Sequence, residues 1–227
     1  MDVRYKIGYI DEDVNQVKLY RRKLKTFGFD VIGYEITKGM LLQDLMEQVY
    51  SSDIDLLMID FRLKEGNILA FNGDEVEREI YDKKPQFPHI IFTNKSDQAK
   101  PDVDDPKIIF DKEIVFPSDD GDENIQTKDF IDVLTKSIMQ YKNHIEKRKK
   151  TISELLEKEK TDELSTDEKN LLLSTQRDLL SLDKMRMLEV PENLTSINDL
   201  DKISKARQDA EAFINSLLEN KDDESKG

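Results

Sequence analysis

Short apolar runs alternate with helical patterns through the first half of the chain, and this alternation limits the fold more than any other feature. The run at 54–59 is typical of a strand that is covered on both faces of a sheet. Five such runs with helical crossovers predict a doubly wound α/β fold, in which helices flank a five-stranded parallel sheet. The predicted strands are Tyr5–Ile10, 31–36, 54–59, 89–92 and 107–110, and the predicted helices are 13–27, 40–50 and 73–81, with Gly28 closing the first helix.

Glycine and proline almost disappear after residue 121, which indicates a second kind of structure. Only Gly227 and Pro191 lie beyond that point, out of 8 glycines and 6 prolines in the chain. We therefore expect a compact α/β unit followed by helices. The predicted division is 1–150, with its last helix continuing outward, and 151–227.

Three helical stretches are predicted in the second half of the chain. The first covers about 127–160, where apolar side chains recur every three or four residues until Arg148 breaks the pattern. Ser165 and Glu168 have the spacing of a capping box at the start of the second stretch, and Pro191 ends that stretch or lies just beyond it. A packed helical hairpin or bundle is one interpretation, and a dimeric coiled coil is the other. The apolar positions are Leu134, Ile138, Tyr141, Ile145, Ile152 and Leu155 in the first stretch, Leu172, Thr175, Leu179 and Leu182 in the second, and Ile203, Ala206, Ala210, Phe213 and Leu217 in the third.

Charge and composition exclude several classes of function. The chain has 35 Lys and Arg against 49 Asp and Glu, which gives a net charge of −14. This balance argues against a nucleic-acid partner and against an anionic membrane surface. The absence of cysteine excludes disulfides, thiol catalysis and thiolate-bound metals. No signal peptide or membrane-spanning run is visible, so we expect a cytoplasmic protein.

Polar residues stand at the carboxyl end of almost every predicted strand. Asp11, Glu12 and Asp13 follow the first strand and Asp60 follows the third. The same edge of the sheet receives the ends of the fourth and fifth strands, where Thr93, Asn94 and Lys112 are found. Clustered carboxylates repel one another and need a cation, and hard oxygen ligands suit Mg²⁺. A metal, a hydroxyl and an ammonium beside an aspartate can bind a phosphoryl group, which the aspartate can accept as a nucleophile.

The segments IDED, DLLMID, IIFT and DK, in this order between residues 10 and 112, resemble the receiver domain of response regulators in two-component signalling. This family has a flavodoxin-like sheet and includes CheY. The resemblance covers about residues 4–150 and implies that Asp60 is the phosphoacceptor. It further implies that Asp11, Glu12 and Asp60 hold Mg²⁺, and that Thr93 and Lys112 bind the phosphoryl group. Asp13 and Asn94 are then supporting residues around the site.

The resemblance also implies a protein partner, a histidine kinase or another phosphodonor. In receivers the first helix helps to dock the donor, and here that helix carries a basic face. An ordinary solvated surface is the alternative interpretation of this face. The basic residues are Lys18, Arg21, Arg22 and Lys25.

Three departures from the receiver pattern stand out. The loop after Asp60 is extended and unusual over residues 61–73, and an acidic insertion occupies 117–123. The proline that commonly follows the lysine is Glu113 here. The position of the aromatic switch residue, three before the lysine, is Ile109, which puts coupling through a swinging aromatic ring in doubt.

These features favour a phosphorylation-dependent signalling protein rather than an enzyme. Its helical second half would bind an unknown protein partner or form a homodimer. One alternative is an adaptor whose receiver-like domain no longer cycles. The other is a haloacid-dehalogenase-like phosphatase, which would use Asp11 as its nucleophile.

Overall fold

The structure is a computed structural model that describes residues 4–117 and 125–182. Its sheet has the strand order β2-β1-β3-β4-β5, with every neighbouring pair parallel. This is the flavodoxin-like order of doubly wound folds, so the predicted fold class is confirmed. The strands are β1 Tyr5–Ile10, β2 Phe29–Gly33, β3 Leu56–Ile59, β4 His89–Thr93 and β5 Ile109–Asp111.

Helices cover both faces of the sheet and form two separate apolar cores. One core joins α1 and α6 to the sheet, and the other joins α2 and α3 to its opposite face. The whole of β3 is buried, as its apolar sequence predicts. The helices are α1 Val14–Lys25, α2 Leu42–Ser51, α3 Gly73–Lys83, α4 Ser96–Ala99, α5 Lys112–Val115, α6 Ile125–Glu159 and α7 Thr166–Leu182.

The second and third predicted strands begin at the wrong residue. The strand expected at 31–36 begins at Phe29, which pairs with Tyr5 of β1, and ends at Gly33. The strand expected at 54–59 begins only at Leu56. Asp55 stays outside it, where its carboxylate accepts a hydrogen bond from the Lys6 backbone amide at 2.8 Å. Long-range pairing and a polar contact set these limits, so local apolar pattern alone misplaced them.

The crossover between β4 and β5 contains fewer helical residues than the other crossovers. It contains only the four-residue α4 and a 3₁₀ turn at Pro106–Ile108. Asp105 accepts a hydrogen bond from the Lys107 amide at the start of that turn, so β5 begins two residues later than predicted. The one-turn α5 was not predicted, and Asp111 caps it by accepting from the Glu113 and Ile114 amides.

A single 35-residue helix, α6, links the sheet to the helical second half. Its first apolar positions, including Leu134 and Ile138, pack on the sheet. Its later positions, including Ile152, pack instead on α7, and Arg148 stands between the two sets. The helix therefore continues without interruption through residue 150.

The helix α7 folds back along α6 to form an antiparallel hairpin. Lys158 pairs with Glu168 near the turn, and Arg148 approaches Asp178 farther along both helices. The predicted capping box is confirmed, because the Ser165 amide donates to the Glu168 carboxylate and the Glu168 amide donates to Ser165 Oγ. The hairpin interpretation thus holds within the described residues.

Other predicted features lie outside the described residues. They are the third helical stretch with Ile203, Ala206, Ala210, Phe213 and Leu217, the end of the second at Pro191, and residues 118–123 of the acidic insertion. Among the helices that the structure describes, none is long and apolar enough to cross a membrane.

Candidate functional site

Four of the predicted site residues lie at the carboxyl edge of the sheet. Asp11 and Asp60 follow β1 and β3, Thr93 ends β4, and Lys112 follows β5. All four side chains are buried. The strand order brings them together because β1, β3, β4 and β5 are consecutive neighbours and all point the same way.

Lys112 connects the two aspartates. Its Nζ donates to Asp11 Oδ2 at 2.8 Å and to Asp60 Oδ1 at 2.7 Å. Burial alone would lower the pKa of Lys112, but the Asp60 and Asp11 carboxylates outweigh burial and raise it. Burial raises the pKa of Asp60 and the Asp11 charge adds to this, although Lys112 partly offsets both. One ammonium thus serves two buried carboxylates, which leaves an excess of negative charge.

Asp11 is held from three directions. Its Oδ2 accepts from the Tyr9 hydroxyl at 2.6 Å and from Lys112, and its Oδ1 accepts from the Asp13 amide at 2.9 Å. Asp13 itself is exposed and caps α1 by accepting from the Asn15 amide at 2.8 Å. Asp13, predicted as a supporting residue, therefore contacts Asp11 through its backbone amide and not through its side chain.

Asp60 is held by the chain that follows it. Its Oδ2 accepts from the Arg62 amide at 2.8 Å. The first residue of α3, Gly73, packs against the Asp60 backbone so closely that an added Cβ would stand 2.4 Å from the Asp60 carbonyl oxygen. The start of α3 and the loop before it therefore set the position of Asp60.

Glu12 has a carboxylate oxygen without a partner. Its Oε2 is buried and forms no hydrogen bond. Burial raises the pKa of Glu12 to about 7, and the charges of Asp11 and Asp60 contribute to the rise. An unpartnered buried carboxylate costs free energy, and a cation bound beside it would remove that cost.

The donor set fits Mg²⁺, because Asp11, Glu12 and Asp60 offer only hard oxygen ligands and Glu12 has an oxygen free for a cation. Within 4–117 and 125–182, however, no three His, Cys, Asp or Glu side chains already surround a common point. Lys112 instead contacts two of the three carboxylates. The residue types therefore suit the metal, while their present arrangement is held by an ammonium.

Thr93 and Asn94 do not contact the carboxylates. Thr93 Oγ1 accepts from the Lys95 amide at 3.2 Å, and Asn94 is exposed. Ser96 Oγ donates to Asp111 Oδ2 at 3.0 Å, so the start of α4 is tied to the residue before Lys112. Thr93 therefore lies at the end of β4, and its hydroxyl is linked to the residue before Lys112 through the start of α4.

The extended loop at 61–73 packs inward. Four of its apolar side chains are buried in the core between the sheet, α2 and α3, and Lys64 joins Glu75 of α3 at 3.0 Å. Phe61, Arg62, Lys64, Glu65 and Asn72 line a polar depression of about 390 Å³, which Gln98 and Asp102 complete. The buried side chains are Phe61, Leu63, Leu69 and Phe71.

The basic face of α1 is only partly free. Lys18, Arg22 and Lys25 are exposed on it. Arg21 Nε donates to the Val31 carbonyl at 2.7 Å, which ties this side chain to β2. Three of the four predicted docking residues are therefore available to a partner without breaking a described contact to the sheet.

Tyr9 was missed by the sequence prediction. Its side chain is fully buried, and its ring lies 5.6 Å from Lys112 Nζ. The signal was present in the sequence, because side chains two residues apart on a strand point to the same face, and Tyr9 precedes Asp11 by two. A tyrosine in a buried strand needs a partner for its hydroxyl, and Asp11 is that partner.

Comparisons with known proteins found similar chains among solved structures. The sequence matches no family model and no curated protein. Among solved structures, the response regulator TrrA from Thermotoga maritima, in complex with Mg²⁺ and BeF, is 19% identical; the match covers 58% of this chain and 99% of that chain, with a TM-score of 0.40. TrrA in complex with the histidine kinase ThkA is 20% identical. That match covers 58% of this chain and 98% of that chain, with a TM-score of 0.41. The receiver domain of a Francisella response regulator is 15% identical. That match covers 60% of this chain and 98% of that chain, with a TM-score of 0.41.

Proposed function

We propose that the chain is a phosphorylation-dependent signalling protein that accepts a phosphoryl group on Asp60. The observation that carries this proposal is the buried contact of Lys112 with both Asp11 and Asp60 across the carboxyl ends of three strands. A buried ammonium shared by two carboxylates is expensive to maintain for stability alone. It is well placed, however, to offset the charge on a phosphoryl oxygen.

The transfer step would use the residues described above, Mg²⁺ and a phosphodonor. A carboxylate oxygen of Asp60 attacks phosphorus and forms a new P–O bond, while the bond to the donor breaks and its electron pair leaves with the donor. Mg²⁺ held by Asp11, Glu12 and Asp60 would offset the negative charge on the phosphoryl oxygens. Lys112 then moves its contact from Asp60 to the phosphoryl group, and Thr93 donates its hydroxyl to it. Beyond accepting and losing this phosphoryl group, we propose no catalytic activity for the chain.

Asp60 is a better nucleophile than Asp11 in this arrangement. The Asp11 oxygens accept 3 hydrogen bonds, whereas those of Asp60 accept 2. The Asp60 side chain is also 11% exposed against 3% for Asp11. This difference favours the signalling function over a phosphatase that would use Asp11.

A route for the signal leads from Thr93 toward the helical hairpin. If the Thr93 hydroxyl turns to the phosphoryl group, the Lys95 amide loses its acceptor at the start of α4. Ser96 then carries the change to Asp111, which caps α5. The carbonyl of Val115 at the end of α5 accepts from Thr127 of α6, so α6 receives the change directly. This route does not use Ile109, the residue at the position of an aromatic switch.

The partners follow from the same proposal. A histidine kinase would supply the phosphoryl group, docking on the exposed Lys18, Arg22 and Lys25 of α1. The hairpin of α6 and α7 would carry the output to an unknown protein or to a second copy of the chain. A non-cycling adaptor is the competing function, because Glu113 and the loop after Asp60 depart from the receiver pattern.

Chemical identification of the modified residue tests this function. The protein is incubated with Mg²⁺ and acetyl phosphate, treated with borohydride to reduce any acyl phosphate, digested, and sequenced by mass spectrometry. We expect the reduced residue to be Asp60. Reduction at Asp11 would indicate the phosphatase, and no reduced residue, even with partner kinases, would indicate the adaptor.

A further inference from the structure

Asp11 accepts a short hydrogen bond from a neutral donor. The Tyr9 hydroxyl lies 2.6 Å from Asp11 Oδ2, within a part of the sheet from which solvent is excluded. Hydrogen bonds to an ionised carboxylate are shorter and about twice as strong as those between neutral groups.

The positions of the donors decide how Asp11 can act. Oδ2 is occupied by both Tyr9 and Lys112, whereas Oδ1 accepts only from the Asp13 amide. Each carboxylate oxygen has two lone pairs, so Oδ2 is fully used and Oδ1 has one lone pair left. A cation can therefore approach Asp11 through Oδ1 alone.

We propose that Tyr9 is a positioning residue for cation binding: its hydroxyl fixes Asp11 so that Oδ2 holds Lys112 and Oδ1 is presented to Mg²⁺. This inference rests on the proposed function for the identity of the site. Partners that orient a ligating carboxylate commonly contribute about tenfold or more to metal affinity. Without the hydroxyl, Asp11 keeps only its contacts with Lys112 and the Asp13 amide. Its terminal torsion, which is broad for aspartate, is then less restricted.

The test compares Tyr9→Phe with Tyr34→Phe. Tyr34 is a partly buried tyrosine, and its hydroxyl hydrogen-bonds Ser52 Oγ at 3.0 Å, away from the carboxylates. Each variant loses one hydrogen-bonded hydroxyl and keeps the ring. Mg²⁺ binding to the full chain is measured by titration calorimetry without phosphodonor, after thermal unfolding has shown that each variant is folded. The phosphorylation rate with acetyl phosphate is then measured against Mg²⁺ concentration.

In Tyr9→Phe we expect Mg²⁺ affinity to fall about tenfold. The Mg²⁺ concentration for half-maximal phosphorylation should rise in parallel, and the rate at saturating Mg²⁺ should stay close to that of the wild type. Tyr34→Phe should bind Mg²⁺ as the wild type does. Equal losses of Mg²⁺ affinity in both variants would assign Tyr9 a purely structural role and overturn the inference.

The failure of this inference can be told apart from that of the proposed function. If Tyr9→Phe binds Mg²⁺ unchanged while wild-type Asp60 is phosphorylated, only the inference is wrong. If the wild type binds no Mg²⁺, Tyr9 has no cation site to position, and the inference is wrong whatever happens at Asp60. If the wild type binds Mg²⁺ with a dependence on Tyr9 but Asp60 is never modified, the inference holds and the proposed function fails.

Discussion

Lys112 Nζ and Asp60 Oδ1 lie 2.7 Å apart, although 52 residues separate them in the chain. The same ammonium contacts Asp11 at 2.8 Å, so a single positive charge holds the ends of three strands together. The stability of this edge of the sheet and its chemistry therefore depend on the same side chain.

Lys112→Gln should destabilise the protein by about 3–5 kcal/mol, because it leaves two buried carboxylates without a cation. This loss of stability should become smaller as the pH falls, since the carboxylates then become neutral. Urea unfolding at several pH values measures both effects. Lys142→Gln is the matched control: Lys142 pairs with Asp55 at 2.6 Å but is 51% exposed, so we expect a loss of about 0–1 kcal/mol. Equal losses in the two variants would contradict the central position given to Lys112.

Glu12 should make stability depend on pH near neutrality. Its pKa in the folded protein is about 7, above the ordinary value of 4.5. The neutral form therefore stabilises the fold at low pH, and that contribution is lost as the pH rises through about 7. Because Glu12 is half-buried, we expect solvent to reduce the effect to about 1 kcal/mol.

Glu12→Gln tests this dependence by urea unfolding at acidic and mildly alkaline pH. The variant should be as stable as the wild type at low pH and more stable than it above neutrality. Glu159→Gln, at the exposed end of α6, should leave the stability unchanged at both pH values. At high pH, added Mg²⁺ should restore part of the lost stability of the wild type. It should not increase the stability of Glu12→Gln. A wild-type profile that is flat across neutrality would contradict the burial of Glu12.

The start of α3 should be intolerant of a single added methyl group. A Cβ at Gly73 would stand 2.4 Å from the Asp60 carbonyl oxygen and 2.9 Å from Phe61 Cα. Both are backbone atoms, so we expect Gly73→Ala to cost about 1–3 kcal/mol and to slow phosphorylation. In Gly66→Ala the nearest contacts are ordinary, at 3.4 Å to Ile68, so this neighbour in the same loop is the control. Equal stability and equal phosphorylation in the two variants would show that α3 does not set the position of Asp60.

The helical hairpin should loosen independently of the phosphorylation site. Ile152 is fully buried between α6 and α7, in a cluster that shares no residue with the two cores of the sheet. Ile152→Ala should therefore cost about 2–5 kcal/mol locally. Hydrogen exchange should increase in α7 while β1, β3 and β4 stay protected and Asp60 is still phosphorylated. Loss of protection throughout the sheet would show instead that the two parts unfold together.

Much of the fold and the site follows from local sequence. The strand-end rule located Asp11, Asp60, Thr93 and Lys112, because it needs only the order of strands and the residue after each one. The capping box at Ser165 was found in the same way, since its partners are three residues apart.

The remainder depends on contacts that no local pattern shows. The start of β2 is fixed by pairing of Phe29 with Tyr5, and the inward packing of Leu63 depends on a core made by α2 and α3. The contact of Tyr9 with Asp11 is local, but its importance appears only once Lys112 is seen on the same oxygen. Sequence periodicity describes one element at a time, whereas these features arise where several elements meet.

The most direct test of the account is the intact mass of the protein after incubation with acetyl phosphate. The wild type and Asp60→Asn are each measured with Mg²⁺ and with a chelator. We predict one phosphoryl adduct on the wild type that requires Mg²⁺, and none on Asp60→Asn. An adduct that persists in Asp60→Asn, or a wild type that stays unmodified with both acetyl phosphate and partner kinases, would contradict the account.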